Sequence, residues 1–122
     1  MTVHEDAVLR YFAAWNADTA EERTKAVAAA FTKDATYTDP LAEVRGHDGL
    51  VAVIGGAREQ FPGFDLVPTG APDAHHGLAR FTWDLVSRAD GSAPVAGSDV
   101  ITLAGDGRIS SVSGFLDRLP GA

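Results

Sequence analysis

The sequence predicts an α+β protein in which helices come first and an antiparallel sheet follows. In the first half of the chain, apolar residues recur three and four positions apart, which is the period of a helix. In the second half, apolar and polar residues alternate as in strands, and turn residues such as Gly, Asp and Pro separate the runs. We therefore expect the helices to cover one face of a curved sheet.

Composition and charge narrow the class of protein. The 122 residues are 45% hydrophobic and 22% charged, which is typical of one soluble globular domain spanning residues 1–122. Seventeen acidic residues against ten basic ones give a net charge of −7, so we expect no nucleic-acid or membrane partner. The absence of cysteine excludes disulfides, thiolate nucleophiles and Cys-based zinc sites. No membrane span or signal peptide is recognisable, which predicts a cytoplasmic protein.

Two amphipathic helices are predicted at the start of the chain. The first extends from His4 to Asn16, with one apolar stripe formed by Ala7, Val8, Tyr11, Phe12 and Trp15. Thr19 and Glu22 have the spacing of a capping box and predict the start of the second helix. We expect that helix to end near Lys33.

The middle of the chain predicts a strand, a loop and a third helix. The run Thr36 to Asp39 is rich in strand formers and ends at Pro40, which cannot donate to a sheet. A loop through residues 43–45 follows. The spacing of apolar residues from Leu50 to Phe61 is helical again, and a Pro-Gly pair ends that helix.

Four strands are predicted in the second half, because apolar residues alternate there and glycine-containing turns separate the runs. They are Asp65–Val67, His75–Arg88, Val95–Leu103 and Arg108–Leu116.

Three polar residues lie where a purely structural pattern would place apolar ones. Asp99 shares a strand face with Val95 and Ile101, and an unpartnered buried carboxylate is costly. Tyr11 lies on the apolar stripe of the first helix. Asp39 shares a strand face with Tyr37. Each residue also has an ordinary interpretation: an acid bonded to a neighbouring strand, a core tyrosine, and a strand terminator before proline.

Three segments at these positions carry a resemblance to a known superfamily. LRYFAAWNAD, FTKDATYTDP and GSDVITLAGDGRI, in this order and spacing, resemble the nuclear transport factor 2-like superfamily. Within it, the SnoaL-like polyketide cyclases and the ketosteroid isomerases are the most similar groups. The resemblance extends to GFLDRLP near the end of the chain. It implies a cone-shaped α+β barrel, with three N-terminal helices packed on a strongly curved, mostly antiparallel sheet that encloses a pocket.

The resemblance also implies residue roles. The oxyanion-donating tyrosine of ketosteroid isomerases corresponds to Tyr11, their general base before proline to Asp39, and their oxyanion-hole aspartic acid to Asp99. One position departs from that pattern, because the tyrosine that supports the oxyanion tyrosine from the third helix is replaced by Ile54.

These observations together predict a cofactor-free acid/base enzyme that isomerises or cyclises a small hydrophobic carbonyl compound. Asp39 would remove a proton next to the carbonyl, while Tyr11 and a protonated Asp99 would donate hydrogen bonds to the enolate oxygen. The pocket wall is expected to use some of the aromatic residues Trp15, Phe61, Phe64, Phe81, Trp83 and Phe115.

Other functions remain open at this point. The fold also suits a non-catalytic module that binds a hydrophobic ligand or serves in assembly, or an epoxide hydrolase-like enzyme with Arg80 near Asp99. The four histidines lack metal-ligand spacing, so we expect no metal and no cofactor. We expect a homodimer that pairs through the outer sheet face, where Arg80, Thr82 and Val86 lie.

Overall fold

The structure is a computed structural model that describes residues 1–121. Its helices are α1 (Val3–Trp15), α2 (Ala20–Ala30) and α3 (Gly46–Gln60). Its strands are β1 (Phe31–Thr38), β2 (Glu43–Arg45), β3 (Phe64–Pro68), β4 (Asp73–His75), β5 (Leu78–Ser87), β6 (Val95–Leu103) and β7 (Ile109–Arg118).

The seven strands form one curved sheet in the order β2-β1-β7-β6-β5-β3, and β4 pairs with part of β5. Neighbouring strands are antiparallel except β1 and β7, which are parallel. The predicted α+β fold with three helices on a mostly antiparallel sheet is confirmed. The sheet is not closed into a barrel, because β2 and β3 are its edges.

Capping explains where the first two helices begin. The Thr2 hydroxyl accepts a hydrogen bond from the Glu5 amide, and the Glu5 side chain accepts one from the Thr2 amide, so a capping box starts α1. The predicted box at α2 is half formed. Thr19 accepts from the Glu22 amide at 3.1 Å, but the return bond is missing.

The second helix ends at Ala30, earlier than the sequence predicted. Phe31 is extended, with φ −119° and ψ 146°, and it pairs with Ile109 of β7. Its side chain is fully buried, and its ring lies 6.1 Å from that of Tyr11. Sheet pairing and core packing therefore override the helical pattern that continues toward Lys33.

Two short strands were missed because three residues are too few to show a period. β2 pairs with Thr36–Thr38 of β1, in the segment predicted as a loop. β4 pairs with the start of β5, and a turn at His76 and Gly77 separates the two. His76 has a φ of 49°, a left-handed conformation, so the predicted strand beginning at His75 is divided here.

The core lies between the helices and the inner face of the sheet. Its largest fully buried side chains are those of Tyr11, Phe31, Leu50, Ile54, Ile101, Ile109, Val27 and Val112. The outer face of the sheet exposes three large apolar side chains, those of Leu78, Val100 and Phe115. The homodimer that was expected to pair through this face stays a prediction. In the described part of the chain, no helix has the length and apolar character needed to cross a membrane.

Candidate active site

Asp99 lies at the centre of the sheet, on the inner face of β6. It is 3% exposed, and alternation along β6 places it beside buried Val95 and Ile101, as the sequence predicted. Two donors from other elements reach its Oδ2 atom. The Tyr11 hydroxyl donates from α1 at 3.1 Å, and the Trp83 indole donates from β5 at 2.8 Å. Both bonds end on one oxygen, which leaves Oδ1 free to carry a proton.

Two glycines provide the space that this carboxyl and its indole partner occupy. Gly114 of β7 lies opposite Asp99, and a β-carbon there would be 2.5 Å from Asp99 Oδ1. Gly97 lies opposite Trp83, and a β-carbon there would overlap the indole and lie 2.7 Å from the Phe115 carbonyl oxygen. Neither position accepts a side chain without movement of the site.

Burial sets the protonation states of Asp99 and Tyr11. Loss of solvation raises the pKa of Asp99 from 3.8 to about 6, against the opposing effect of the bonds from Trp83 and Tyr11. The nearby charge of Asp39 raises it further. Burial first, and then the charge of Asp99, raise the pKa of Tyr11 well above its usual value, so its hydroxyl remains a donor.

Asp39 lies at the end of β1 in a local turn. Its Oδ1 accepts the backbone amides of Leu41 and Ala42, both at 2.8 Å. Its Oδ2 accepts the Tyr37 hydroxyl at 2.6 Å. The Asp39 amide in turn donates to the Ala42 carbonyl at 2.9 Å. Three donors and this turn fix the orientation of the half-buried carboxylate.

Tyr37 is the side-chain hydrogen-bond partner of Asp39. It lies two residues before Asp39 on the same strand face and is 4% exposed. Burial and its bond to Asp39 raise its pKa, while interaction with Tyr11 acts in the opposite direction. Asp39 and Asp99 both lie next to Gly114, since a β-carbon there would contact Asp39 Cβ and Asp99 Oδ1. The three predicted catalytic residues therefore belong to two neighbouring hydrogen-bonded groups, Tyr37–Asp39 and Tyr11–Asp99–Trp83.

A cavity of about 460 Å³ opens beside Asp39. Apolar side chains from α1, α3, β3 and the C-terminal segment form most of its wall, and exposed Leu41 and Leu119 lie at its rim. Such a volume suits a small organic ligand. Its full lining is Trp15, Asp39, Leu41, Ala42, Ala52, Val53, Gly56, Ala57, Arg58, Gln60, Phe61, Phe64, Leu66, Leu85, Val95, Leu116, Leu119 and Pro120.

The predicted aromatic wall is present only in part. Trp15, Phe61 and Phe64 line the cavity. Phe81 instead packs against Tyr11 in the core, at 5.2 Å between ring centroids, and Trp83 is directed to Asp99. Phe115 is paired with Ser98 on the outer face of the sheet and is 60% exposed. Alternation could have excluded Phe115, because it lies three residues after inward-facing Val112 with regular pairing between them. It could not separate Phe81 and Trp83 from the cavity wall, because both side chains face inward.

Among the three predicted catalytic residues, Asp39 lines the cavity, while Tyr11 and Asp99 lie behind its wall. The ring of Trp15 lines the cavity and packs against both Tyr11 and Tyr37, at 6.1 and 5.8 Å between centroids. The site thus presents the Asp39 carboxylate to the cavity and keeps Tyr11 and Asp99 one side chain deeper.

The cavity also contains one cationic side chain, which is already paired. Arg58 donates to Asp18 at 2.8 Å and to the Phe64 carbonyl, and it lies 3.6 Å from Asp65. Arg88 joins the same cluster and lowers the pKa of both acids. Arg58 therefore has little charge to offer an anionic ligand. In residues 1–121, no group of three or more metal-ligating side chains is close enough to hold a metal ion.

The hydrogen bonds that Tyr37 and Trp83 donate to the two acids were not predicted from the sequence. Tyr37 could have been found, because its position two residues before Asp39 places both side chains on one face. Trp83 left a weaker signal in Gly97, a small residue within an otherwise apolar strand that makes room for the indole.

The chain was compared with known families and structures. Residues 8–112 match the family model of the SnoaL-like domain. A SnoaL-like family protein from Agrobacterium tumefaciens strain C58, provisionally named an isomerase, is 42% identical. That alignment covers 96% of this chain and 99% of the other, with a TM-score of 0.89. No match was found among curated proteins.

More distant structures share the fold. A protein from Sinorhizobium meliloti, provisionally named a polyketide cyclase, is 19% identical over 96% of this chain and 100% of that chain, with a TM-score of 0.69. A hypothetical protein with a ketosteroid isomerase-like fold from Catenulispora acidiphila DSM 44928, in complex with trimethylamine, is 13% identical. That alignment covers 93% of this chain and 85% of the other chain, with a TM-score of 0.70.

Proposed function

This chain belongs to the SnoaL-like domain family, and from that premise we propose that it is a cofactor-free acid/base enzyme acting on a small hydrophobic carbonyl compound. The observation that carries the proposal is the Asp39 carboxylate. It lies on the wall of a largely apolar cavity and is oriented by three hydrogen bonds. A carboxylate held in this way beside a bound ketone can remove a proton from the carbon next to the carbonyl.

The enolate formed in that step needs hydrogen-bond donors at its oxygen. The candidates are Tyr11, which stays protonated, and the neutral form of Asp99, which predominates below its pKa of about 6. Return of the proton from Asp39 to a different carbon gives isomerisation. Attack of the enolate carbon on a second carbonyl of the same molecule gives an aldol-type cyclisation, with the proton ending on the new hydroxyl.

Exchange of 2-tetralone protons into deuterated water tests the proposal, since this ketone is flat, apolar and readily enolised. Proton NMR should show loss of its α-proton signals with the wild-type protein. Asp39→Asn should slow the exchange about 10³-fold. The matched control is Asp34→Asn, which removes one exposed charge from the same strand and should leave the rate unchanged. Equal exchange rates in wild type and Asp39→Asn would contradict the role of Asp39 as the general base.

A second candidate is a binding module without catalysis. It is favoured by one observation, namely that Tyr11 and Asp99 do not line the cavity. Binding of 2-naphthol, a flat analogue of the tetralone enol, without any exchange of 2-tetralone would support this alternative. The epoxide hydrolase-like alternative has no support, because Arg80 is exposed on the outer face and pairs with Asp73 at 3.1 Å.

A further inference from the structure

Trp15 is the side chain that separates the cavity from buried Tyr11 and Asp99. It is the last residue of α1, and the next residue holds this end of the helix to β3. The Asn16 side chain donates to the Leu66 carbonyl at 2.9 Å and accepts from the Leu66 amide at 2.7 Å. The Trp15 ring is thereby held at the cavity wall, against Tyr11 and Tyr37.

The indole N–H of Trp15 is buried, and no group in residues 1–121 accepts it. Buried N–H groups almost always have an acceptor, and buried tryptophans usually find one. The other tryptophan follows that rule, because Trp83 donates to Asp99 at 2.8 Å.

Most other donors near the cavity are already engaged. Tyr37 donates to Asp39, the amides of Leu41 and Ala42 donate to the same carboxylate, and Arg58 is paired. Gln60 also lines the cavity, but it is exposed to solvent. Among the cavity-lining side chains of residues 1–121, Trp15 alone has a buried N–H that lacks an acceptor. Arg23 Nε is also buried without an acceptor, but Arg23 does not line the cavity.

We propose that Trp15 donates its indole N–H to the oxygen of a ligand bound in the cavity. This inference rests on the proposed function and names the ligand more closely. The proposal requires the half-buried ring to turn so that Nε1 reaches the cavity surface. The ligand class is a neutral ketone, enol or phenol, with its single oxygen at one end of a flat apolar skeleton.

The indole signals of the two tryptophans provide the test, because the chain contains no others. In protein carrying ¹⁵N-tryptophan, Trp15→Phe and Trp83→Phe assign the two indole resonances. Addition of 2-naphthol should move the Trp15 indole proton downfield, as a new hydrogen bond requires. Naphthalene, which has the same skeleton without oxygen, should move it far less. Equal shifts with both ligands, or failure of 2-naphthol to bind, would overturn the proposal.

Affinity provides a second measurement. Trp15→Phe keeps an aromatic ring and removes the N–H. It should therefore weaken the binding of 2-naphthol about 10-fold and leave the binding of naphthalene nearly unchanged. The matched control is Phe61→Leu, which trims a cavity wall residue without polar atoms and should weaken both ligands alike. Equal losses for both ligands in Trp15→Phe would mean that Trp15 only packs, and would refute its role as donor.

The same samples separate this inference from the proposed function. If 2-naphthol moves the Trp15 signal but wild type does not exchange 2-tetralone, the catalytic proposal fails and the donor role of Trp15 stands. If wild type exchanges 2-tetralone and the Trp15 signal does not respond to 2-naphthol, the base role of Asp39 stands and the donor role fails.

Discussion

The surroundings of Asp39 and of Asp99 are built in different ways, although both residues lie next to Gly114. The partners of Asp39 all lie between Tyr37 and Ala42, so a single turn supplies them. The partners of Asp99 are 88 and 16 residues away in the chain and belong to a helix and another strand. The environment of Asp39 is therefore local, and that of Asp99 exists only in the complete fold.

This difference predicts which substitutions reduce stability and which reduce activity. A change near Asp39 should affect chemistry more than folding, because few other contacts depend on its turn. A change near Asp99 should affect folding and protonation together, because its donors also join α1 and β5 to the centre of the sheet.

The largest expected effect on stability is the pH dependence caused by Asp99. Its pKa is about 6 in the folded protein against 3.8 when unfolded, so the folded state holds a proton that the unfolded chain releases. The resulting stability is complete below about pH 4 and is lost as the pH rises through about 6, a change of about 3 kcal/mol.

Asp99→Asn should remove that dependence. Its amide oxygen can still accept from Tyr11 and Trp83, so the variant should fold, and its unfolding free energy should fall less between pH 4 and pH 7 than that of wild type. Urea unfolding of both proteins at these two pH values measures the difference. Parallel pH profiles would mean that Asp99 titrates normally.

Gly97→Ala should have the next largest effect on stability. The new methyl group meets the Trp83 indole and a backbone carbonyl that cannot easily move, so we expect a loss of about 2–3 kcal/mol and a weakened bond to Asp99. The control is Gly56→Ala in α3, where nothing lies within 4 Å, and which should stabilise by about 0.5–1 kcal/mol. Urea midpoints measure both variants, and equal changes would contradict the packing at Gly97.

Tyr37→Phe is expected to give the smallest change in stability, about 1 kcal/mol, because the two backbone amides still hold Asp39. Exchange of 2-tetralone should slow about 10-fold, since one of the three groups that orient the base is gone. Thermal unfolding and the exchange rate are measured on the same sample. A stability loss as large as that of Gly97→Ala would show that the surroundings of Asp39 are not independent.

The same distinction explains what the sequence could predict. The helical stripe of α1 and the inward position of Asp99 follow from periodicity within one element, and both agree with the structure. The end of α2 could not be predicted, because Phe31 leaves the helix to pair with a strand 78 residues later in the chain. The composition of the cavity wall was equally hidden, since it depends on how α3 and the C-terminal segment lie across the sheet.

The parallel pairing of β1 with β7 has a consequence for the order in which the protein forms. During synthesis, β1 leaves the ribosome long before β7 exists, so Tyr37 has no Val112 to pair with until β7 has been synthesised. Contacts this distant in sequence form slowly, and an unpaired strand edge invites association with other nascent chains. The cavity wall that carries Asp39 therefore assembles late. Until then, the unpaired edge of β1 has to be kept from contact with other nascent chains.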